Sequence, residues 1–341
     1  MLYSVTGFLM ISELGLSKPI MGVVLTIFMW GQITGGLLWA YLGDLIGRKR
    51  SWVGSIVFMC LGAILAAIAP NWVLLSLGRA MTGFGTVGSQ APQSSFISET
   101  WPARHRAKCM SLSWAMWGPA VVFLGLLSLA GLYWRYCWVL VGLIGFSALF
   151  FIQFSIKETE RYTEYDKKVG SLKQKFKETI DLYRDPRWRK RLIIGATIPF
   201  ASLTVLWSFT TYTPVFLIER GFGAVVGLHW NMLIWGVGGT AALLWGPLAD
   251  KVGRKRALVV SAIANVIGVV GTFFWAPNLV WIYVLSALAV WGQLSSYMGI
   301  MIYVPEPFPT KIRSTAYGVA NQTGRILARS FQRSAALWRC I

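Results

Sequence analysis

Residues 42–50 read Leu-Gly-Asp-Leu-Ile-Gly-Arg-Lys-Arg, and residues 248–256 read Leu-Ala-Asp-Lys-Val-Gly-Arg-Lys-Arg. Each copy of this basic loop follows one long apolar run and precedes another. Three consecutive cations hold such a loop on the cytoplasmic side of a membrane, and Asp44 and Asp250 can each accept hydrogen bonds from a neighbouring helix N-terminus. Gly47 and Gly253 permit the tight, left-handed turn that the loop needs. The repeat therefore predicts a membrane protein built from two like-oriented halves.

The repeated loop resembles the signature of the major facilitator superfamily, Gly-x-Leu-Ala-Asp-x-x-Gly-Arg-Lys/Arg. The second copy matches this pattern from Gly246 to Lys255, whereas the first has Ala40 in place of the opening glycine and Gly43 in place of alanine. The resemblance implies an all-α integral membrane protein of two six-helix bundles that works as a secondary transporter. The residues alone leave open a second interpretation, a pair of basic topology-setting loops in an unrelated membrane protein.

Composition points independently to a membrane protein. Hydrophobic residues make up 55% of the chain and charged residues 13%, well below the usual quarter of a globular protein. The 18 Trp and 35 Gly residues suit membrane helices, with rings near the interfaces and small residues where helices touch. A formal net charge of +19 could suggest nucleic acid, but the cations lie in alternate loops and no basic module with an aromatic platform accompanies them. No nucleic-acid partner is therefore expected.

The apolar runs predict about ten to eleven membrane spans. Residues 1–11 are too short to cross a bilayer, since about 20 residues are needed, and are interpreted as the outer end of an incomplete first helix. We expect an N-terminal helical bundle at 1–156, a cytoplasmic central loop at 157–190 and a C-terminal bundle at 191–341. No twelfth span is apparent, and arginines replace apolar residues from about residue 326, so the chain is expected to be truncated at both ends with an aberrant tail.

Loop charges predict the orientation. Basic residues concentrate in alternate loops, which places both signature loops and the central loop in the cytoplasm and the protein in the inner, or plasma, membrane. Within the central loop, Leu172, Phe176, Ile180 and Tyr183 suggest a short amphipathic surface helix; a solvated linker is the alternative. The opening of this loop, Lys157–Tyr162, resembles a degenerate Pro-Glu-Ser-x-Arg motif of sugar and organic-acid carriers.

Arg79 is the first candidate substrate-binding residue. It lies well inside the fourth apolar run, where a charge costs about 2.5–3.5 kcal/mol, and is therefore expected to face a polar cavity. Gly83, Gly85 and Gly88 allow a neighbouring helix to approach closely. The pattern resembles the family's fourth-helix motif Arg-x-x-Gln-Gly, with Thr82 where glutamine is usual. Alternatively, Arg79 pairs with a helix C-terminus or with an acid of the incomplete first helix.

Arg325 is the second candidate, deep in the expected eleventh span. Its surroundings resemble the Gly-Arg-Ile-Gly step of organic-acid carriers, although the same arginine could belong to the aberrant tail. Gln293, Asn231 and Tyr297 are polar or aromatic groups within other spans. They are expected to line a substrate cavity, with interhelical packing as the alternative role.

Acids and cations recur at the cytoplasmic ends of two spans, Glu99 with Arg104 at the fourth and Glu306 with Arg313 at the tenth. The second set resembles the Pro-Glu-x-Phe-Pro-Thr-x-x-Arg element of sugar and metabolite carriers. Helix-end capping and topology-setting charge form the alternative, which is compatible with gating. By analogy with the family, the charge-relay gate comprises Asp44, Gly47, Arg48, Glu99, Arg104, Asp250, Gly253, Arg254, Glu306 and Arg313.

Two embedded cations and no mid-span carboxylate favour a small organic anion as the transported solute. Uptake of an anion against a negative interior costs ~2.3 kcal/mol per charge per 100 mV, which predicts proton symport by alternating access. No cofactor beyond the proton gradient is expected. His229 lies just inside the outer end of the eighth span, where interfacial packing is its expected role and proton carriage is the alternative.

Other functions stay open at this stage. A sugar or polyol facilitator or symporter would need amide-rich walls, for which Gln293 and Asn231 are modest support. A non-transporting truncated carrier would explain the unusual ends. An enzyme is not expected, since the sequence has no nucleophile–base set, metal cluster or nucleotide loop. The protein is expected to be a monomer in the lipid bilayer.

Overall fold

The computed structural model describes residues 13–15, 17–169, 171, 173–174, 177, 180, 184–222 and 224–337. Within these residues the chain is helical and contains no β-strand. In chain order, the helices are α1 (Lys18–Leu45), α2 (Arg48–Ala67), α3 (Trp72–Gly88), α4 (Gln90–Thr100), α5 (Arg106–Ala115), α6 (Trp117–Leu129), α7 (Trp134–Ser155), α8 (Glu160–Val169), α9 (Pro186–Glu219), α10 (Ala224–Ala241), α11 (Trp245–Val252), α12 (Arg254–Val270), α13 (Leu279–Tyr303) and α14 (Arg313–Leu337).

Seven segments among the described residues are long and apolar enough to cross a membrane. They are Gly22–Leu45, Arg48–Ala67, Ala103–Leu127, Trp134–Ser155, Pro186–Glu219, Arg254–Trp275 and Leu279–Tyr303. The other predicted spans correspond to α3 with α4, to α10 with α11, and to α14. The first two are each divided into shorter helices, and α14 carries several arginines, so none of the three is a long uninterrupted apolar helix.

The fourth predicted span is interrupted at Ser89, between α3 and α4. Pro92 lies in the first turn of α4 and has no backbone N–H, so the carbonyl of Gly88 receives no helical hydrogen bond from it. The backbone hydrogen bonds continue on either side, because the N–H of Ser89 donates to Gly85 (2.9 Å) and that of Gln93 donates to Ser89 (3.1 Å).

The described chain divides into two compact units. Unit 1 comprises Met1–Thr100, Leu127–Ala196 and Val304–Gln322, and unit 2 comprises Trp101–Leu126, Thr197–Tyr303 and Thr323–Ile341. The boundaries predicted from sequence, at 156/157 and 190/191, stay predictions.

Glycines bring the helices of unit 1 into backbone contact. A Cβ on Gly31 or Gly35 of α1 would overlap a backbone carbonyl of α3. The three glycines predicted to pack the fourth span occupy similar places. A Cβ on Gly83 would lie 2.5 Å from the carbonyl oxygen of Phe28, one on Gly85 would overlap Ser55, and one on Gly88 would overlap Trp39. Such contacts allow dispersion forces to hold helices together where the surrounding lipid removes the hydrophobic driving force.

A second close contact in unit 1 joins α1 to α14, and we call it the small-residue seam. Its members on α1 are spaced at four and three residues, which puts them on one face of that helix. A Cβ on Gly43 would lie 2.7 Å from Ser314 Oγ, and Cβ atoms on Gly36 and Gly318 would overlap the opposite helix. The small-residue seam comprises Gly36, Ala40 and Gly43 on α1, and Ser314, Gly318 and Gln322 on α14.

Glu13, just before α1, joins the ends of α2 and α7. It accepts hydrogen bonds from Tyr133 Oη (2.6 Å), from Trp134 Nε1 and from Arg135 (3.0 Å). Arg135 also donates to the carbonyl oxygen of Ala67 at the end of α2 (2.7 Å). Burial raises the pKa of Glu13, but the hydrogen bonds from Tyr133, Trp134 and Arg135 and the charge of Arg135 outweigh it and hold that pKa below its usual range.

In unit 2, α12 and α13 pack through a mixed glycine and polar contact. A Cβ on Gly268 would overlap the backbone of Ala289 in α13. Asn265 Nδ2 donates to the carbonyl oxygen of Ala289 (2.8 Å), and the hydroxyls of Thr272 and Ser286 lie 3.3 Å apart. Interhelical hydrogen bonds of this kind typically stabilise membrane helix pairs by about 0.6 kcal/mol each.

Part of the predicted central loop is helical, since α8 occupies Glu160–Val169. The predicted amphipathic surface helix depends on Leu172, Phe176 and Tyr183, which lie outside the described residues, as do residues 1–12 and 338–341.

Candidate functional site

Both signature loops turn at a glycine whose backbone only glycine adopts readily. Gly47 has φ 112° and Gly253 has φ 91°, and each is the residue immediately before a helix, α2 and α12 respectively. In this region of φ a side chain would clash with the backbone. In the first loop, the turn brings Arg48 back to Asp44 of the preceding helix α1.

Asp44 is buried at the end of α1, where it accepts hydrogen bonds from the start of α14. The backbone N–H groups of Ser314 (3.2 Å) and Thr315 (2.7 Å) donate to its carboxylate, as does Thr315 Oγ1 (2.6 Å). Arg48 Nη1 lies 3.0 Å from the same carboxylate. A helix N-terminus carries unsatisfied N–H donors and a partial positive charge, so it stabilises a carboxylate at this place.

Arg48 links Asp44 to two further charges. It lies 3.0 Å from Glu99 at the end of α4, and Glu99 lies 3.1 Å from Arg313 at the start of α14. Arg48 also donates to the carbonyl oxygens of Gly43 and Thr310. We call Asp44, Arg48, Glu99 and Arg313 the four-charge network. The formal charges of its two acids and two cations sum to zero. Because the side chains of Arg48 and Glu99 are fully buried, each charge needs the opposite charges beside it for compensation.

The segment after α7 covers this network and was not assigned to it from the sequence. Glu158 accepts from the backbone N–H groups of Arg48 (3.0 Å) and Lys49 (3.1 Å) and thus caps α2. Thr159 Oγ1 donates to Glu99 (2.7 Å), and the ring of Tyr162 lies 5.0 Å from the Arg48 guanidinium. The available sequence signal was the degenerate motif at Lys157–Tyr162, which contains all three residues.

The second signature loop repeats only part of this arrangement, within unit 2. Asp250 accepts from the backbone N–H groups of Ala107 (3.3 Å) and Lys108 (3.0 Å) at the start of α5. Arg254 Nη2 donates to the carbonyl oxygen of Ala103 (2.9 Å). Asp250 and Arg254 are both half-buried, in contrast to Asp44 and Arg48.

Two further predicted gate residues, Arg104 and Glu306, are not members of the four-charge network. Arg104 is exposed in the short turn before α5 and forms no ion pair with a described residue. Glu306 is half-buried in the turn after α13. The structure therefore joins four of the predicted gate residues in the four-charge network, with Gly47 at the adjoining turn. Asp250, Gly253 and Arg254 belong to the second signature loop.

Arg79 is enclosed by aromatic rings. Its guanidinium carbon lies 4.0 Å from the centre of the Phe28 ring and 5.1 Å from that of Trp138, and 4% of the residue is exposed. Cation–π contacts with desolvated rings stabilise a cation by up to about 2 kcal/mol. These rings therefore offset part of the cost of burying the charge, and they were not predicted from the sequence.

Arg325 meets Tyr297, another predicted site residue, inside unit 2. Arg325 Nη2 donates to Tyr297 Oη (3.0 Å), and the Tyr297 ring lies edge-on to Trp114 at 5.4 Å. Both Arg325 and Tyr297 are buried, and Arg325 Nε donates to no acceptor among the described residues. No described carboxylate pairs with this arginine, so the Nε–H of Arg325 is a buried donor without an acceptor among the described residues.

Gln293 lies one turn before Tyr297 on α13 and is committed to a protein partner. Its Nε2 donates to Ser202 Oγ (2.6 Å) and to the Ser202 carbonyl oxygen on α9. Asn231 is in α10, but its side chain lies outside what the structure describes. His229 is exposed on the same helix.

A group of buried amides in unit 1 was not predicted as a set. Asn321 Nδ2 of α14 donates to Gln90 Oε1, at the break between α3 and α4 (3.3 Å). The neighbouring Gln322 is 1% exposed, and its Nε2 lies against Gly36, where a Cβ would overlap it. Its Oε1 accepts no hydrogen bond from a described residue. We call Gln90, Asn321 and Gln322 the amide cluster.

Apolar spanning helices, glycine-mediated helix contacts and a duplicated Asp/Arg loop define a multi-pass membrane transporter rather than an enzyme. Residues 1–331 match the Major Facilitator Superfamily, and the chain belongs to that family. The fold class predicted from the signature loops is thereby confirmed.

Relatives and solved structures agree with this assignment. A putative metabolite transport protein of Haemophilus influenzae is 28% identical, covering 96% of this chain and 84% of its own length. The sialic acid transporter NanX of Escherichia coli is 26% identical over 92% of this chain and 76% of its own. The proton:xylose symporter XylE, bound to 6-bromo-6-deoxy-D-glucose, matches with TM-score 0.76 at 18% identity, covering 99% of this chain and 85% of XylE. The protein is therefore a transporter of small metabolites.

Proposed function

We propose that the protein carries a small organic anion across the cell's inner membrane by alternating access, in symport with protons. The observation that carries this proposal is Arg325, a buried arginine that lacks a carboxylate partner among the described residues. A buried charge without compensation is strongly destabilising. A substrate carboxylate supplies that compensation, and it binds guanidinium groups through paired hydrogen bonds.

Proton symport follows from the electrical work. An anion that enters a cell against a negative interior costs ~2.3 kcal/mol per charge per 100 mV. Entry of at least one proton with each carboxylate cancels that work and adds the driving force of the pH gradient. A proton:xylose symporter among the similar folds supports this mode of coupling.

The four-charge network fits the role of a gate latch on the cytoplasmic side. It joins the ends of α1 and α4 to the start of α14, and its members are buried together. In an alternating-access cycle one face opens while the other closes. Separation of these helices would expose the paired charges to water, so the network favours the state in which that face is closed.

Counterflow in proteoliposomes tests the proposal. Vesicles loaded with an unlabelled carboxylate should exchange it for the labelled compound, and should acidify when a carboxylate gradient drives uptake. R325Q should abolish exchange because it removes the charge, whereas R325K should retain part of it. R220K and R220Q serve as matched controls, since Arg220 lies at the end of α9 and donates to the carbonyl oxygen of Ala276 (3.2 Å). Full exchange by R325Q would refute the role of this arginine.

A sugar or polyol carrier is the second candidate, and the amide cluster is the observation that favours it. Amides present both donors and acceptors, as hydroxyl groups do. Labelled xylose and sorbitol therefore belong in the same counterflow panel. Exchange of these neutral solutes, with no response to any carboxylate, would favour this alternative, and no exchange of any solute would favour a non-transporting carrier.

A further inference from the structure

We infer that one face of unit 2 binds the headgroup of an anionic phospholipid. This face, which we call the basic surface, joins the second signature loop to the start of α5 and the turn before it. The inference goes beyond the proposed function and does not depend on which solute is carried. The basic surface comprises Arg104, Arg106, Lys108, Lys251, Arg254, Lys255 and Arg256.

Hydrogen bonds bring two distant stretches of the chain together to form the basic surface. Asp250 accepts from the backbone N–H of Lys108 (3.0 Å), which lies 142 positions earlier. Arg254 Nη2 donates to the carbonyl oxygen of Ala103 (2.9 Å). The cations at the start of α5 therefore lie beside those of the second signature loop.

The basic surface lies where two membrane-spanning segments begin. These segments are Ala103–Leu127 and Arg254–Trp275, and the hydrogen bond from Arg254 to Ala103 places their first residues at the same level. Trp101, just before the first segment, is 45% exposed, in keeping with the enrichment of tryptophan at membrane interfaces. The cations therefore lie at the level of the lipid headgroups.

Positive charge is in excess on the basic surface. Residues 101–108 and 250–256 contain seven lysines and arginines but a single acid, Asp250. Arg106 and Arg254 are both half-buried, and their positive charges act on each other. The preference of basic loops for one side of a membrane accounts for cations in water, but not for two partly desolvated guanidinium groups held together. An anion beside them would offset this repulsion.

The first signature loop differs, although its sequence is nearly the same. Asp44 and Glu99 each lie 3.0 Å from Arg48, and Glu158 accepts from the backbone N–H of the same arginine (3.0 Å). Three acids thus meet the first loop. The second has an excess of cations for which a phosphodiester supplies negative charge, since guanidinium groups bind phosphate oxygens in pairs. Clusters of about four to eight basic residues next to a spanning helix are typical of sites for anionic lipids.

Lipid binding by the purified full chain in detergent tests the inference. Native mass spectrometry would measure the ratio of lipid-bound to lipid-free protein during titration with two lipids that have the same acyl chains, the anionic phosphatidylglycerol and the zwitterionic phosphatidylcholine. Wild type should bind phosphatidylglycerol more tightly, and added salt should weaken this preference. Equal binding of the two lipids at low salt would overturn the inference.

The duplicated motif provides a matched pair of variants. Lys255 and Arg256 occupy the same motif positions as Lys49 and Arg50, so K255Q/R256Q and K49Q/R50Q remove equal charge. K255Q/R256Q should weaken phosphatidylglycerol binding roughly tenfold or more, the effect of two cations at a membrane surface, whereas K49Q/R50Q should bind as wild type does. Equal weakening by both variants would mean that binding follows net charge alone, and the defined site would be wrong.

A further variant tests the α5 side of the basic surface. R104Q/K108Q removes two exposed cations and should weaken phosphatidylglycerol binding as K255Q/R256Q does. The thermal midpoint without lipid shows whether each variant is folded, and undiminished binding by either folded variant would contradict the site. Inorganic phosphate is the soluble competitor. It should not displace the lipid at equal concentration, and displacement would assign the basic surface to a soluble anion instead.

Discussion

The duplicated signature loop provides a matched pair of substitutions, R48Q and R254Q. Each removes the same charge from the same motif position, but the surroundings differ. Arg48 is fully buried and contacts Asp44 and Glu99, each at 3.0 Å. Arg254 is half-buried, and its guanidinium donates to the carbonyl oxygen of Ala103 at 2.9 Å. The structure therefore predicts that the two variants differ greatly in stability.

The magnitude follows from what each substitution leaves behind. In R48Q, Asp44 keeps its bonds to the start of α14 and Glu99 keeps Arg313 and Thr159, but two buried acids then share one cation. Removing one partner of a buried ion pair costs about 3–5 kcal/mol, whereas a partly exposed pair contributes about 0–1 kcal/mol. At roughly 2–4 °C per kcal/mol, R48Q should lower the thermal midpoint by ~6–20 °C and R254Q by at most ~4 °C.

Tryptophan fluorescence during heating of the detergent-solubilised protein measures both midpoints. The double variant R48Q/E99Q is the control, because it removes a negative charge together with the positive one and should recover part of the loss. Equal midpoints for R48Q and R254Q would refute the argument, since burial would then not decide the effect. So would a double variant that is less stable than R48Q.

Three further predictions follow from other contacts. E13Q should lower the thermal midpoint at neutral pH and leave it unchanged at a pH below the depressed pKa of Glu13. A carboxylate whose pKa is lowered by folding stabilises the fold above its unfolded pKa, and this contribution is lost as the pH falls through the folded pKa. A midpoint loss that is independent of pH would contradict this. G35A should destabilise by about 1–3 kcal/mol, since its Cβ would overlap the Phe84 carbonyl, while G22A should be neutral; the same midpoint assay checks both. Y297F should raise the KM for the transported anion roughly tenfold through loss of the acceptor for Arg325, with little change in KM arguing that the hydroxyl does not orient the guanidinium.

The sequence predicted those structural features that are determined by residues close together in the chain. The spanning helices follow from apolar runs, and the φ values of Gly47 and Gly253 follow from the need to reverse the chain within one loop. The bonds from helix N-termini to Asp44 and Asp250 were also anticipated. The donor helices themselves could not be identified, because each lies far along the chain and only folding brings it near.

Contacts over long sequence separations were the ones that sequence reasoning missed. Glu158 caps a helix that begins 110 positions earlier, and Asn321 reaches Gln90 across 231 positions. The degenerate motif around Glu158 does not identify the helix that it caps, and Asn321 has no local pattern that distinguishes it from a packing amide. Arg79 was predicted to lie within a span and to face a polar cavity, whereas the structure encloses it with the rings of Phe28 and Trp138, which come from other helices. Its surroundings were therefore not deducible from its own helix.

The small-residue seam limits which amino-acid substitutions the protein tolerates. Where α1 meets α14 at Gly36, Ala40 and Gly318, the two helices approach so closely that the contact has no room for larger side chains. A larger side chain at Gly36, Ala40 or Gly318 should therefore destabilise the fold more than a small side chain that is merely less hydrophobic. A single bulky replacement at one of these three positions would act as a wedge between the two helices.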